Sequence, residues 1–184
     1  MENQTDFEPR LPLYFVALIP QGDVKVQINN IKHQTGGRFG CRQALKSPPH
    51  ITIIPPFRLQ PERVDEMIAS VRSHFEAPIN LSINFNGLGA FETRTIYLDI
   101  IADSGINSYD LAAKNLVSSQ PALFPNVRFH EAFHPHITLA NRDIPPGDFK
   151  EMMDYLGKKT YPVSCSELSL EILHLDRGRW ITLL

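Results

Sequence analysis

The chain has 184 residues, a net charge of −2 at pH 7, 42% hydrophobic residues and 21% charged ones. That length can bury one sizeable core, and the slight negative charge excludes gripping a long nucleic-acid tract by electrostatics alone. A small phosphate ester or an oligonucleotide end remains open, since either needs only a local cluster of donors.

No apolar run is long enough to span a bilayer, so no membrane partner is expected, and the polar, acidic stretch from Met1 to Arg10 is unlike a signal peptide. Cys41 and Cys165 give neither a zinc spacing nor a disulfide framework, which makes a reduced, cytoplasmic setting the expectation. One domain over residues 1–184, monomeric, is expected.

In chain order, Leu13–Ile19 reads as a strand, followed by a helix from about Asp23 and a loop with Gly36, Gly37 and Gly40. Next comes Pro49-His50-Ile51-Thr52-Ile53, an apolar β-branched run that favours extended chain. In such a run residues i and i+2 share a face, so His50 and Thr52 stand side by side while Ile51 points away. A Pro-rich turn (Pro55, Pro56, Pro61) precedes an amphipathic helix in which Val64, Met67, Ile68, Val71 and Phe75 share one face. Alternating Ile79, Leu81, Ile83 and Phe85, a loop with Gly87 and Gly89, and a strand over Thr95–Ile101 follow.

A helix from about Ser108 to Ser118 and a loop with Pro121 and Pro125 then lead to Pro135-His136-Ile137-Thr138-Leu139, a second copy of the His-x-Thr pattern. After it come a Pro145-Pro146-Gly147 turn and a helix with Phe149, Met152, Met153 and Leu156 on one face. Alternating Leu168, Leu170 and Ile172, a turn at Asp176-Arg177-Gly178 and a closing strand, Trp180–Leu183, complete the chain. The order strand, helix, tetrad strand, helix, strand thus occurs twice. Two units are too few for a stacked array. The expected fold is α+β: a bilobal, pseudo-twofold duplication with an antiparallel sheet in each lobe, helices on the outer faces and a central cleft.

Two facing histidines suit acid–base chemistry on a phosphoester. One neutral imidazole takes a proton from the attacking oxygen and one imidazolium protonates the leaving oxygen. Threonine hydroxyls donate to the non-bridging phosphate oxygens. This chemistry calls for no metal and no cofactor, and it predicts a bell-shaped pH–rate profile that survives a chelator.

The paired tetrads His50-Ile51-Thr52-Ile53 and His136-Ile137-Thr138-Leu139, with their matched flanks, resemble those of the two-histidine (2H) phosphoesterase superfamily. Within it the likeness is to the 2′–5′ RNA ligase-like and RNA 2′,3′-cyclic phosphodiesterase branch. The resemblance runs from Leu13 to Leu184 and implies a bilobal fold with a cleft, catalytic His50 and His136, and Thr52 and Thr138 on the phosphate. It implies opening of a 2′,3′-cyclic phosphate on a nucleotide or RNA 3′ end, often to a 2′-phosphate. By analogy it favours His50 as acid and His136 as base.

Other site candidates follow from position. Tyr97 and Trp180 occupy matching places after the two tetrads, and an aromatic face there can stack a base; packing within the sheet is the equal alternative. Phe57 and Arg142 follow the tetrads closely, and Arg142 can pair with a phosphate. Arg38, Arg42 and Lys46 form a cationic loop before His50, either a grip on substrate or a solvated face. His130, His134 and His136 cluster in a spacing compatible with a metal, but no carboxylate stands beside the first tetrad, and a role for His134 in lining the cleft or bracing its loop is preferred. His33, His74 and His174 read as structural. Gly36-Gly37 is not a phosphate-binding loop, since no Gly-Lys-Ser/Thr follows.

The alternatives to the cyclic-phosphate reading are a phosphodiesterase or ligase for 2′–5′ linkages, an esterase for another small nucleotide ester, and a non-catalytic nucleotide-binding module.

Overall fold

A computed structural model describes residues 10–75 and 79–183. All of the N-terminal segment read against a signal peptide except Arg10 lies outside that range. The helices are α1 (Gly22–Phe39), α2 (Val64–His74), α3 (Ser104–Ser119) and α4 (Phe149–Leu156). The strands are β1 (Leu13–Pro20), β2 (Ile51–Arg58), β3 (Ile83–Phe91), β4 (Thr95–Ile100), β5 (His136–Asn141), β6 (Ser164–Cys165), β7 (Leu168–Asp176) and β8 (Arg179–Thr182). Short 3-10 turns lie at Gln43–Lys46 and Pro61–Arg63.

The strands form two four-stranded sheets, ordered β2-β1-β7-β8 and β5-β4-β3-β6, in which every pairing is antiparallel. The fold is α+β, two sheets with flanking helices. The last two strands return to the first sheet, so β1 pairs with β7 from Tyr14↔His174 to Pro20↔Leu168. Both tetrad strands, β2 and β5, lie at the edge of their sheets.

That edge position explains one departure from expectation. Pro55 and Pro56 do not make a turn; they continue β2 to Arg58. An edge strand tolerates proline because one row of its N–H groups has no ladder partner. Gly36 and Gly37 likewise lie inside α1 rather than in a loop. A Cβ on Gly36 would come within 2.7 Å of the Cys41 carbonyl oxygen, so the returning chain needs glycine there. Helix α1 ends at Gly40, whose φ of 74° and N–H bond to Gly36 O at 3.0 Å make a left-handed cap.

Gly87 and Gly89 fall within β3, where the pairing with β4 slips between Phe85 and Leu88; Gly87 has φ 80°, as at a bulge. The regular strand starts at Ile83, not Ile79. Helix α3 starts a turn earlier than expected because the Asp103 carboxylate accepts from Ile106 N–H at 3.1 Å, a side-chain N-cap.

Alternation along β1 divides the molecule. Tyr14, Val16 and Leu18 enter the main core, whereas Phe15, Ala17 and Ile19 join Leu173 in a small cluster on the other face, against Trp180. Ile51, Ile53, Ile137 and Leu139 of the tetrads also enter the main core and are essentially fully buried. Burial of each such side chain contributes roughly 1.5–3 kcal/mol. Helix α1 packs on β5 of the other sheet and α3 on β2, so one core runs behind both tetrads and fixes their faces.

Candidate active site

In each tetrad, core burial of the isoleucine that follows the histidine leaves histidine and threonine on the opposite face. His50, Thr52 and Thr138 line a cavity of about 570 Å³ together with Lys46, Ser47 and Trp180. Thr52 and His136 line an adjoining cavity of about 740 Å³, whose walls include Phe91, Phe129, Phe133 and His134. Thr52 and Pro56 border both, so the two cavities are neighbours and each tetrad residue lines one or both of them.

The two imidazoles are held alike. His50 Nδ1–H donates to the Pro48 carbonyl at 2.8 Å, and His136 Nδ1–H donates to the His134 carbonyl at 2.7 Å. Each bond reaches back two residues across a proline, Pro49 or Pro135. Proline holds the residue before it extended, which turns that residue's carbonyl toward the ring. With Nδ1 protonated, each neutral ring keeps its lone pair on Nε2. No side chain or backbone group among the described residues bonds either Nε2. The repeated Pro-His dipeptide was the signal for this arrangement in the sequence.

Aromatic rings back both histidines. Phe15 lies 4.9 Å from His50, with Trp180 4.5 Å beyond in edge contact. Tyr97 lies 5.0 Å and Phe91 5.1 Å from His136. Tyr97 spreads over Gly89, where any Cβ would strike its ring at 2.4 Å. The aromatic that follows each tetrad in sequence therefore serves the other one. Trp180 lies in the sheet of His50, and Tyr97 pairs with Thr138 across β4 and β5.

The charges near the two rings differ. Burial is the main cause lowering the His50 pKa, to about 4; Lys32 and His136 lower it further, against the Pro48 hydrogen bond. Lys32 is 2% exposed and its Nζ donates to the Ser47 carbonyl at 2.7 Å. Burial brings its own pKa down to about 7. His136 is also lowered, first by burial and also by the His134 and His130 rings, while the hydrogen bond to the His134 carbonyl and the Asp99 carboxylate act to raise it. The Asp99 carboxylate accepts from His134 Nε2–H at 2.9 Å and from Asn86 Nδ2 at 3.0 Å, bracing the residue whose carbonyl orients His136. Lys32 and Asp99 escaped the sequence reading because nothing local distinguishes a buried lysine or a bracing aspartate.

A further brace joins the two tetrad loops. The Asp143 carboxylate, just past β5, accepts from the backbone N–H of Arg42 and of Gln43, capping the 3-10 turn before His50.

The remaining sequence candidates separate. Trp180 and Arg142 line the first cavity, and Arg142, with φ 64°, is exposed. Arg42 is exposed on the wall of a neighbouring basic cavity. Tyr97, 5% exposed, lies behind His136 and borders neither cavity. Phe57 is corrected to a core residue: it is 2% exposed and packs on Tyr14 and Phe124. Among the described residues no group of three or more His, Cys, Asp or Glu is arranged to hold a metal ion, and His134 is instead engaged with Asp99.

A family model described as the 2′-5′ RNA ligase superfamily matches residues 20–179. The chain belongs to this superfamily. Among solved structures, E. coli LigT complexed with 3′-AMP is similar over 95% of this chain and 96% of that one, at 15% identity and a TM-score of 0.57. E. coli LigT complexed with NADP+ is similar over the same shares, at 15% identity and a TM-score of 0.55. At that identity the likeness is one of fold. No curated protein sequence matches the chain.

Proposed function

We propose that this 2H phosphoesterase is a metal-independent phosphodiesterase that opens 2′,3′-cyclic phosphates on nucleotides or RNA ends, with the two tetrads as matching halves of a duplicated cleft. The observation that carries the reading is the pair of imidazoles fixed in the same tautomer, each with an unbonded Nε2. A binding module has no use for two titratable rings held so. The E. coli LigT complex with 3′-AMP, a nucleotide bearing a terminal phosphate, agrees with the substrate class.

In this mechanism the assignment by analogy is reversed. Burial and Lys32 disfavour a positive charge at His50 and bring its pKa to about 4, whereas at His136 the Asp99 carboxylate partly offsets burial and the neighbouring His134 and His130 rings. His50 Nε2 is the base. It takes a proton from water as the water oxygen bonds to phosphorus; the P–O3′ bond breaks, and His136 Nε2–H protonates O3′. The Thr52 and Thr138 hydroxyls donate to the non-bridging oxygens. The product is a 2′-phosphate.

The pH profile follows from the two shifts. kcat/KM falls as pH drops through the His50 pKa near 4 and falls as pH rises through the His136 pKa, which lies below 6.5. The optimum is therefore mildly acidic. Lys32→Met keeps the buried stem and removes the cation. The acid limb then moves upward from pH 4 while the alkaline limb stays. An acid limb that stays near pH 4 in Lys32→Met would show that Lys32 does not act on His50; a p-nitrophenyl phosphodiester, not the limbs, separates acid from base.

The activity itself is tested on EDTA-treated protein with 2′,3′-cyclic mononucleotides and a short RNA ending in a cyclic phosphate. Chromatography against 2′- and 3′-phosphate standards should show turnover undiminished by the chelator and the 2′ isomer as product. No turnover on any of these substrates would reject the reading in favour of nucleotide binding alone.

A further inference from the structure

Beside the first cavity lies another, of about 580 Å³, between the end of α1, the loop before His50 and the β7–β8 hairpin. Arg42, Lys46, Arg177 and Arg179 line it with His33, and no carboxylate does. Among the described residues none of these four cations is in an ion pair. Asp143, whose Oδ2 accepts two backbone N–H groups while its buried Oδ1 has no hydrogen-bond partner, and Asp176, cross-strand from Arg179, do not line it. Four unpaired cations around one concavity, in a chain of net charge −2, make a local positive potential suited to an anion.

The hairpin adds to this. Its two turn residues, Arg177 and Gly178, have φ 45° and 79°. Such a turn favours Asn or Gly at its first position, and a long cationic side chain is held there against that preference.

Position relates this cavity to the chemistry. Lys46 and Gly178 line it and also the cavity of His50, so the two lie side by side. In an RNA chain the nucleotide that carries the terminal cyclic phosphate is joined on its 5′ side to another phosphate. We infer that the basic cavity holds that backbone phosphate, so that the substrate is an oligonucleotide end rather than a free mononucleotide. The inference rests on the phosphodiesterase reading above. A single local cluster of cations agrees with a chain too acidic to hold a long tract.

The test compares a 2′,3′-cyclic mononucleotide with a trinucleotide ending in a 2′,3′-cyclic phosphate. It uses the wild type and an Arg177→Gly, Arg179→Gln double variant; glycine is at ease at positive φ, so the hairpin is kept. The wild type should favour the trinucleotide by about 10- to 100-fold in kcat/KM. The double variant should lose that preference through KM, with mononucleotide turnover unchanged. Equal wild-type kcat/KM for the two substrates, or a preference intact in the variant, would overturn the inference.

Fluorescence anisotropy with a labelled trinucleotide ending in a 3′-phosphate reads the cavity without turnover. The variant should bind more weakly and with a shallower salt dependence; unchanged affinity overturns the inference. If neither cyclic substrate is hydrolysed but the anisotropy difference holds, the phosphodiesterase reading fails and the phosphate site stands.

Discussion

His50→Ala and His136→Ala should each lower kcat by about 10²–10⁴-fold on a 2′,3′-cyclic phosphate, with KM little changed. Each substitution removes a proton carrier and leaves the threonines and the phosphate-facing surface in place. The two losses differ in what relieves them. Without His50 the attacking water has no base, and the deficit shrinks as hydroxide rises at high pH. Without His136 the leaving O3′ has no proton donor. A p-nitrophenyl phosphodiester, whose leaving group departs unprotonated, then restores most of the lost rate to His136→Ala and little to His50→Ala. The opposite pattern would exchange the two roles, and normal turnover by both variants would refute acid–base catalysis by these rings. Circular dichroism checks the fold of each.

The facing of the tetrad side chains was legible in the amino-acid sequence. Two β-branched runs with His and Thr at i and i+2 can only place both on one face, and the buried Ile51 and Ile137 show which face the core took. Phe57 also enters the core, beyond irregularities in the β1–β2 pairing that a simple parity count does not cross. The reading missed this by ending the strand at the prolines, which an edge strand accommodates. What local pattern does not encode is which strands meet. β7 and β8 cross back to β1, a pairing between the two ends of the chain, and with it Trp180 moves from the second tetrad to the first. Periodicity fixes which way a side chain faces within a strand but carries no address for the partner. The same gap hid Lys32 and Asp99, whose effects on the two rings arise from elements far apart in sequence. The basic cavity was half visible, since Arg42 and Lys46 stand just before His50 but Arg177 and Arg179 arrive only through the returning hairpin.

The threonines carry the second large effect. Thr52→Val and Thr138→Val preserve volume and branching, so the strands keep their packing while one hydroxyl donor is lost. If these donors meet charge that builds on the non-bridging oxygens, each substitution should lower kcat by about 10²–10³-fold. Thr52 should cost more, because it borders both cavities whereas Thr138 borders only that of His50. Serine at either position returns the hydroxyl and should recover most of the rate. If valine instead raises KM at constant kcat, the hydroxyls hold the ground-state phosphate equally well and contribute nothing specific to the transition state. If valine changes neither constant, the threonines are only β-branched strand formers, and the phosphate must be held by Lys46 and its neighbours on the same wall.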